Sequence, residues 1–100
     1  MSKLRESAKG QDCTIRLIGV CNHNPETTVL CHANGSAAGK GIGMKSPDIL
    51  GAFGCSACHA VLDRMAPRPK GMSLEEVQLA FHQGHQRTMR YWLEMGLVKV

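Results

Sequence analysis

Aromatic residues are scarce in this chain. Its 100 residues include two Phe, one Tyr and one Trp, so Leu, Ile, Val, Met and Ala have to fill most of a core around Phe53, Phe81, Tyr91 and Trp92. Long apolar runs are missing too, since none approaches the ~20 residues that a membrane-crossing helix needs. The opening Met1-Ser2-Lys3-Leu4-Arg5-Glu6 places no apolar stretch behind its charges, which argues against a secretory signal and for the cytoplasm. Acidic residues are outnumbered, 8 against 12 Lys and Arg, and the net charge of +4 favours polyanionic partners by a modest margin. No internal repeat or low-complexity tract is present. The glycine-rich stretch 34–47 contains Gly39-Lys40 without the G-x-x-x-x-G-K-[ST] spacing, which excludes a phosphate-binding P-loop and leaves a cationic surface loop.

What the sequence does have is cysteine. Cys13, Cys21, Cys31, Cys55 and Cys58 make five thiols in 100 residues. An odd count fits a disulfide framework poorly, and a reducing compartment keeps thiols free, so metal ligation is the better reading. The length allows one small domain, and at this size a bound metal adds stability that the core supplies only marginally.

Residues 2–9 read as two helical turns stopped by Gly10. The β-branched stretch Cys13-Thr-Ile-Arg-Leu-Ile-Gly-Val-Cys21 reads as a strand running into a turn at Asn22-His23-Asn24-Pro25. Residues 27–32 then read as a second strand that pairs back as a hairpin. The segment from Asp48 leads into Cys55, and a helix is expected from near Ser56 to about Met65, ended by Pro67 and Pro69. The clearest signal is C-terminal: Ser73 with Glu76 forms a capping box, and Leu74, Val77, Phe81, Met89, Trp92 and Met95 recur near helical spacing up to Gly96. His82, His85, Arg87 and Arg90 decorate the other surface of that helix, and Val98-Lys99-Val100 could add a short strand.

Cys55-Ser-Ala-Cys58 is a C-x-x-C at the head of the expected helix. Two thiolates at that spacing can face one zinc ion about 2.3 Å from each sulfur, with Cys13 and Cys21 supplying the second pair. A redox C-x-x-C would follow a strand within a βαβ pattern, which is not seen, and buried thiols with no role remain the other alternative. His59 follows the C-x-x-C directly, and Asp63 lies four residues on, on the same helical face. Such a pair can hold a divalent cation while leaving positions for phosphate and water; the plainer alternative is a cap and a solvated carboxylate. His32 ends the second expected strand, just before the glycine-rich loop.

This order of features resembles the HNH, or His-Me finger, endonucleases, whose ββα-metal unit is often built on a zinc-binding treble clef. It is most similar to a family of small phage and prophage HNH-like nucleases. The residues that carry the resemblance are D-C-T-I-R-L-I-G-V-C-N-H-N-P-E-T-T-V-L-C-H at 12–32 and P-D-I-L-G-A-F-G-C-S-A-C-H-A-V-L-D at 47–63. The resemblance implies an α+β fold, a small zinc-stapled treble-clef (ββα-metal, HNH-like) domain over 1–100. Its parts would be an N-terminal helix within 1–12, a zinc-bound ββα core over 13–66 and an added C-terminal helix over 73–96. It also implies metal-dependent hydrolysis of DNA phosphodiester bonds, in phage recombination or processing, in the host-cell cytoplasm.

Carried over by position, the resemblance makes His32 the general base and His59 a catalytic residue that binds the catalytic ion, Mg2+ or Mn2+. Asp63 would be a further ligand of that ion, and Cys13, Cys21, Cys55 and Cys58 match the structural Zn2+ set. Lys40, Lys45 and Arg64 surround the site in sequence and would bind flanking phosphates. Two positions depart from the pattern. Cys31 stands where many HNH enzymes place an aspartate or histidine on the metal; a thiolate suits magnesium poorly, and on a strand Cys31 should face away from His32 and pack. The central asparagine has no plain counterpart, with Asp48 and Asn34 as the candidates. The alternative function is a non-catalytic zinc module that binds DNA or a protein partner. The C-terminal helix could support a homodimer, although covering the zinc core is its simpler use.

Overall fold

In the structure, a computed structural model that describes residues 3–33 and 46–99, the first helix, α1, spans Lys3–Ser7. Gly10 follows it at φ 76, the left-handed stop expected there.

The stretch from Cys13 to Cys21 is not a strand. Arg16 (φ 55) and Gly19 (φ 76) both lie in the left-handed region, and a chain reversed twice within so few residues cannot stay extended. The amides of Val20 and Cys21 both donate to the Leu17 carbonyl, at 3.1 and 2.9 Å. The β-branched residues expected to build a ladder are wound instead into a knuckle that buries Ile15 and Leu17.

The second expected strand is present as β1 (Val29–Cys31), but its antiparallel partner is β2 (Ala52–Gly54), with Leu30 opposite Phe53. The free edge of β2 is covered by side chains. The Phe53 carbonyl accepts from both the amide and the hydroxyl of Thr14, each at 2.8 Å, and the Phe53 amide donates to Thr88 Oγ1 at 3.0 Å. Since the Thr14 proton is committed to Phe53, the Thr14–Thr88 bond of 2.9 Å has Thr88 as donor. Every polar atom of that buried network has a partner.

Helix α2 spans Ser56–Leu62 and ends earlier than the prolines require. Asp63 caps it and Arg64 turns left-handed at φ 61; Arg64 N donates to Val61 O at 3.1 Å and Met65 N to Ala60 O at 2.8 Å. This is a Schellman closure with arginine in the place glycine usually takes.

Helix α3 spans Leu74–Glu94, opened by Ser73 Oγ accepting from Glu76 N at 3.1 Å. Its buried stripe is Val77, Phe81, Gly84, Thr88 and Trp92, a spacing of three and four residues that puts them on one face. Leu74 and Met95, expected there, lie exposed. Gly84 allows the knuckle to approach, because a Cβ at that position would stand 3.0 Å from the Ile15 backbone. His85 and Arg87 do not merely decorate the outer surface: His85 Nδ1 donates to Gly51 O and Arg87 Nη1 to Thr14 O, both at 2.7 Å. Near the helix end, Trp92 Nε1 donates to Ser7 Oγ at 2.8 Å and packs edge-on against Phe53, ring centroids 5.9 Å apart. One apolar cluster thus surrounds the cysteines and the first half of α3, and a second joins Ala8, Leu30, Phe53 and Trp92. Val98 packs against the second cluster without forming a strand, and Val100 lies outside the described residues. Among the described residues no helix is long and apolar enough to cross a membrane.

Candidate metal centre and active site

The knuckle and the head of α2 bring four of the five cysteines together. The Sγ atoms of Cys13, Cys21, Cys55 and Cys58 all lie within 4.8 Å of one another, with Cys21 and Cys55 at 3.9 Å. Sulfurs bound tetrahedrally at about 2.3 Å from one ion stand about 3.8 Å apart, so the set fits a metal such as zinc. Backbone amides brace the sulfurs: Arg16 N–H points to Cys13 Sγ at 3.4 Å, and Cys58 and Asn22 N–H to Cys55 Sγ at 3.4 and 3.5 Å. The Cys58 thiol donates to Cys13 and holds that sulfur down at about 4; the same bond, with burial, pushes Cys58 far up, and burial pushes Cys21 up to about 11. Four sulfurs so disposed would give up their remaining protons to a dication.

Cys31 stands apart. It is fully buried in the apolar cluster that also holds Ile15, its sulfur close to Gly54, and its thiol is pushed well above the ordinary range by burial first and by the charge of Asp63 second. It is therefore a packing residue. It is also the last residue of β1.

His32 and Asp48 meet at that end of β1. His32 Nε2 lies 2.6 Å from Asp48 Oδ1, and the two side chains are 21% and 19% exposed. Asp48 opens a short 3-10 turn, Asp48–Leu50, just before β2, and its carboxylate also accepts from Arg5 Nη2 at 3.3 Å. Asp48, weighed from sequence only as a stand-in for the asparagine, is thus at the histidine; Arg5, on the expected N-terminal helix, was not foreseen as its partner. On α2, His59 Nε2 and Asp63 Oδ2 lie 2.8 Å apart, 39% and 35% exposed. The two groups stand on successive turns of α2, bonded to each other and partly open to solvent. Arg64 is exposed and lines an open cavity of about 720 Å³ between α2 and α3. Lys40, Lys45 and Asn34 lie outside the described residues.

The profile of the family described as “Putative nuclease YbcO” matches residues 2–97. Two relatives are each 39% identical over 99 residues, spanning 99% of both chains: “Putative nuclease YbcO” of Escherichia coli K12 and “Putative nuclease ybcO” of Enterobacteria phage 82. A solved structure, described as that of a putative bacteriophage protein from Escherichia coli K-12 MG1655, is similar with a TM-score of 0.74 and 34% identity, covering 94% of this chain and all of that one.

Proposed function

The chain belongs to the family described as “Putative nuclease YbcO”, and on that premise we propose that it is an HNH-like, metal-dependent DNA endonuclease. It would cut phosphodiester bonds during phage DNA recombination or processing, in the host-cell cytoplasm. The observation that carries this reading is the pair of histidine–carboxylate contacts, one ending β1 and one on α2, beside the buried four-cysteine cluster.

In this reading the cluster holds structural Zn2+ and staples the knuckle to the head of α2, as in a treble clef. His32 shares the proton of Nε2 with Asp48, so the neutral ring offers the Nδ1 lone pair to a water. That nitrogen takes the proton as the water attacks phosphorus, a step worth about 10²–10⁴ in rate. His59 and Asp63 would hold Mg2+ or Mn2+, which supplies neutralisation of the phosphate and of the leaving alkoxide. Arg64, with Lys40 and Lys45, would bind neighbouring phosphates and make affinity fall with salt. A homodimer through α3 would have to use Leu79, Leu93 and Met95, since the buried stripe already covers the core.

A neutral, buried Cys31 at a position where HNH enzymes place a metal ligand favours one second reading, a zinc module that binds DNA or protein without cutting. Zinc-loaded protein incubated with supercoiled plasmid separates the two. Nicked circles formed only with added Mg2+ or Mn2+ are the expected result. No nicking of duplex, branched or single-stranded DNA would leave the binding module.

A further inference from the structure

We propose that Asp48 and Arg5 are positioning residues for His32, so that helix α1 is part of the active-site apparatus. This rests on the reading of His32 as the base. Three elements far apart in sequence converge on one oxygen: Asp48 Oδ1 accepts from His32 Nε2 at 2.6 Å and from Arg5 Nη2 at 3.3 Å. The turn that carries Asp48 is Asp48–Leu50. It closes through the backbone, Leu50 N to Pro47 O at 3.1 Å and Gly51 N to Asp48 O at 2.9 Å. α3 then fixes it from behind, through His85 Nδ1 on Gly51 O. α1 is fixed in turn by Trp92 Nε1 on Ser7 Oγ. Both platforms are therefore braced by α3, and between them the Asp48 carboxylate joins Arg5 to the His32 imidazole.

The chemistry explains why a carboxylate stands here. An ionised carboxylate only accepts hydrogen bonds, so it admits one neutral tautomer of His32, with the proton on Nε2 and the lone pair on Nδ1. An amide presents a donor as well and would tolerate the opposite tautomer, in which Nδ1 is protonated and cannot act as a base. Arg5 adds a second donor to the same oxygen, which favours the charged carboxylate and fixes its rotamer. Because Arg5 is half-exposed, its share is the smaller one.

Imidazole ¹⁵N spectra of the full-length zinc-loaded protein test the tautomer directly, with nicking rates read on the same samples. The wild type is expected to show His32 with Nε2 protonated. Asp48→Asn should mix the tautomers and lower kcat about 10–100-fold, the loss typical when an orienting partner of an imidazole is removed, with KM for plasmid and zinc content unchanged. Asp48→Glu should keep the wild-type tautomer, and Arg5→Ala should lower kcat only a few-fold, with recovery in Arg5→Lys. A wild-type spectrum with Nδ1 protonated, or an Asp48→Asn protein with unaltered tautomer and kcat, would overturn the proposal. If no sample nicks DNA but Asp48→Asn still mixes the tautomers, the positioning contact stands and the nuclease reading is what fails.

Discussion

The four-cysteine cluster and the His59–Asp63 pair share α2, yet the cluster and the two histidine–carboxylate pairs differ in what surrounds them. Cys55 and Cys58 are 0% exposed and Cys13 is 6% exposed, among apolar neighbours and, among the described residues, with no Lys or Arg side chain bonded to their sulfurs. The histidine pairs keep one-fifth to two-fifths of their surface open. Buried thiolates need a bound cation to be tolerated, so the cluster belongs to folding. Half-open imidazoles can meet water and substrate without being required by the core, which suits the chemistry we propose for them. Damage to the first should abolish the structure, and damage to the second should spare it.

The largest effect expected from this contrast is loss of the fold on removal of the metal. Structural zinc contributes about 10–16 kcal/mol in small modules, which matches or exceeds the 5–15 kcal/mol by which domains are usually stable. Exhaustive chelation, or Cys58→Ser, should therefore abolish the cooperative melt, followed by circular dichroism alongside zinc analysis. The pH dependence has a definite sign. Burial at Cys21, and the bond to Cys13 together with burial at Cys58, favour the protonated thiols, so zinc loading would release protons and affinity should fall as pH falls. Calorimetry in buffers of different ionisation enthalpy would show this release.

Next in size is the catalytic ion. His59→Ala or Asp63→Asn should raise the Mg2+ or Mn2+ needed for half-maximal nicking about 10–100-fold while the melt stays in place. If either variant lost zinc and unfolded, the division between folding and chemistry would break at α2.

Smaller again are losses inside the core but outside the cluster. Thr88→Val leaves the Phe53 amide without its acceptor and should cost about 1–3 kcal/mol in urea unfolding, with zinc content unchanged. Gly84→Ala should cost about 1–3 kcal/mol as well, because the added methyl would press on the Ile15 backbone. At the bottom of the scale, Arg90→Ala removes only an exposed bond to Glu94 and should change neither stability nor rate measurably.

How much of this was legible in the sequence depended on whether the signal was local. The C-x-x-C, the capping box at Ser73 and the helical period of α3 are local, and all lead to elements that exist. The knuckle was misread because Thr14, Ile15, Ile18 and Val20 carry strand propensity. That propensity yields to left-handed turns at Arg16 and Gly19 and to the requirement that Cys13 and Cys21 meet Cys55 and Cys58. The true partner of β1 lies beyond the glycine-rich stretch, and no short-range pattern in three residues announces such a pairing. Gly84 and Thr88 escaped notice on the buried face because neither is a large apolar residue; one allows a backbone to approach and the other satisfies a strand edge. Arg5 could not have been found from spacing, since it reaches Asp48 across 43 residues.

The central claim is that His32 performs chemistry that the fold does not require. It is tested most directly by plasmid nicking with wild-type, His32→Ala and His85→Ala proteins, each first shown to hold zinc and to melt cooperatively. The account predicts that His32→Ala loses about 10²–10⁴ in metal-stimulated rate while DNA affinity and melting stay close to wild type. His85→Ala, which gives up a bond to the Gly51 carbonyl behind the Asp48 turn but leaves the base itself in place, should lose far less rate. Equal losses in the two variants, or full activity in His32→Ala, would contradict it.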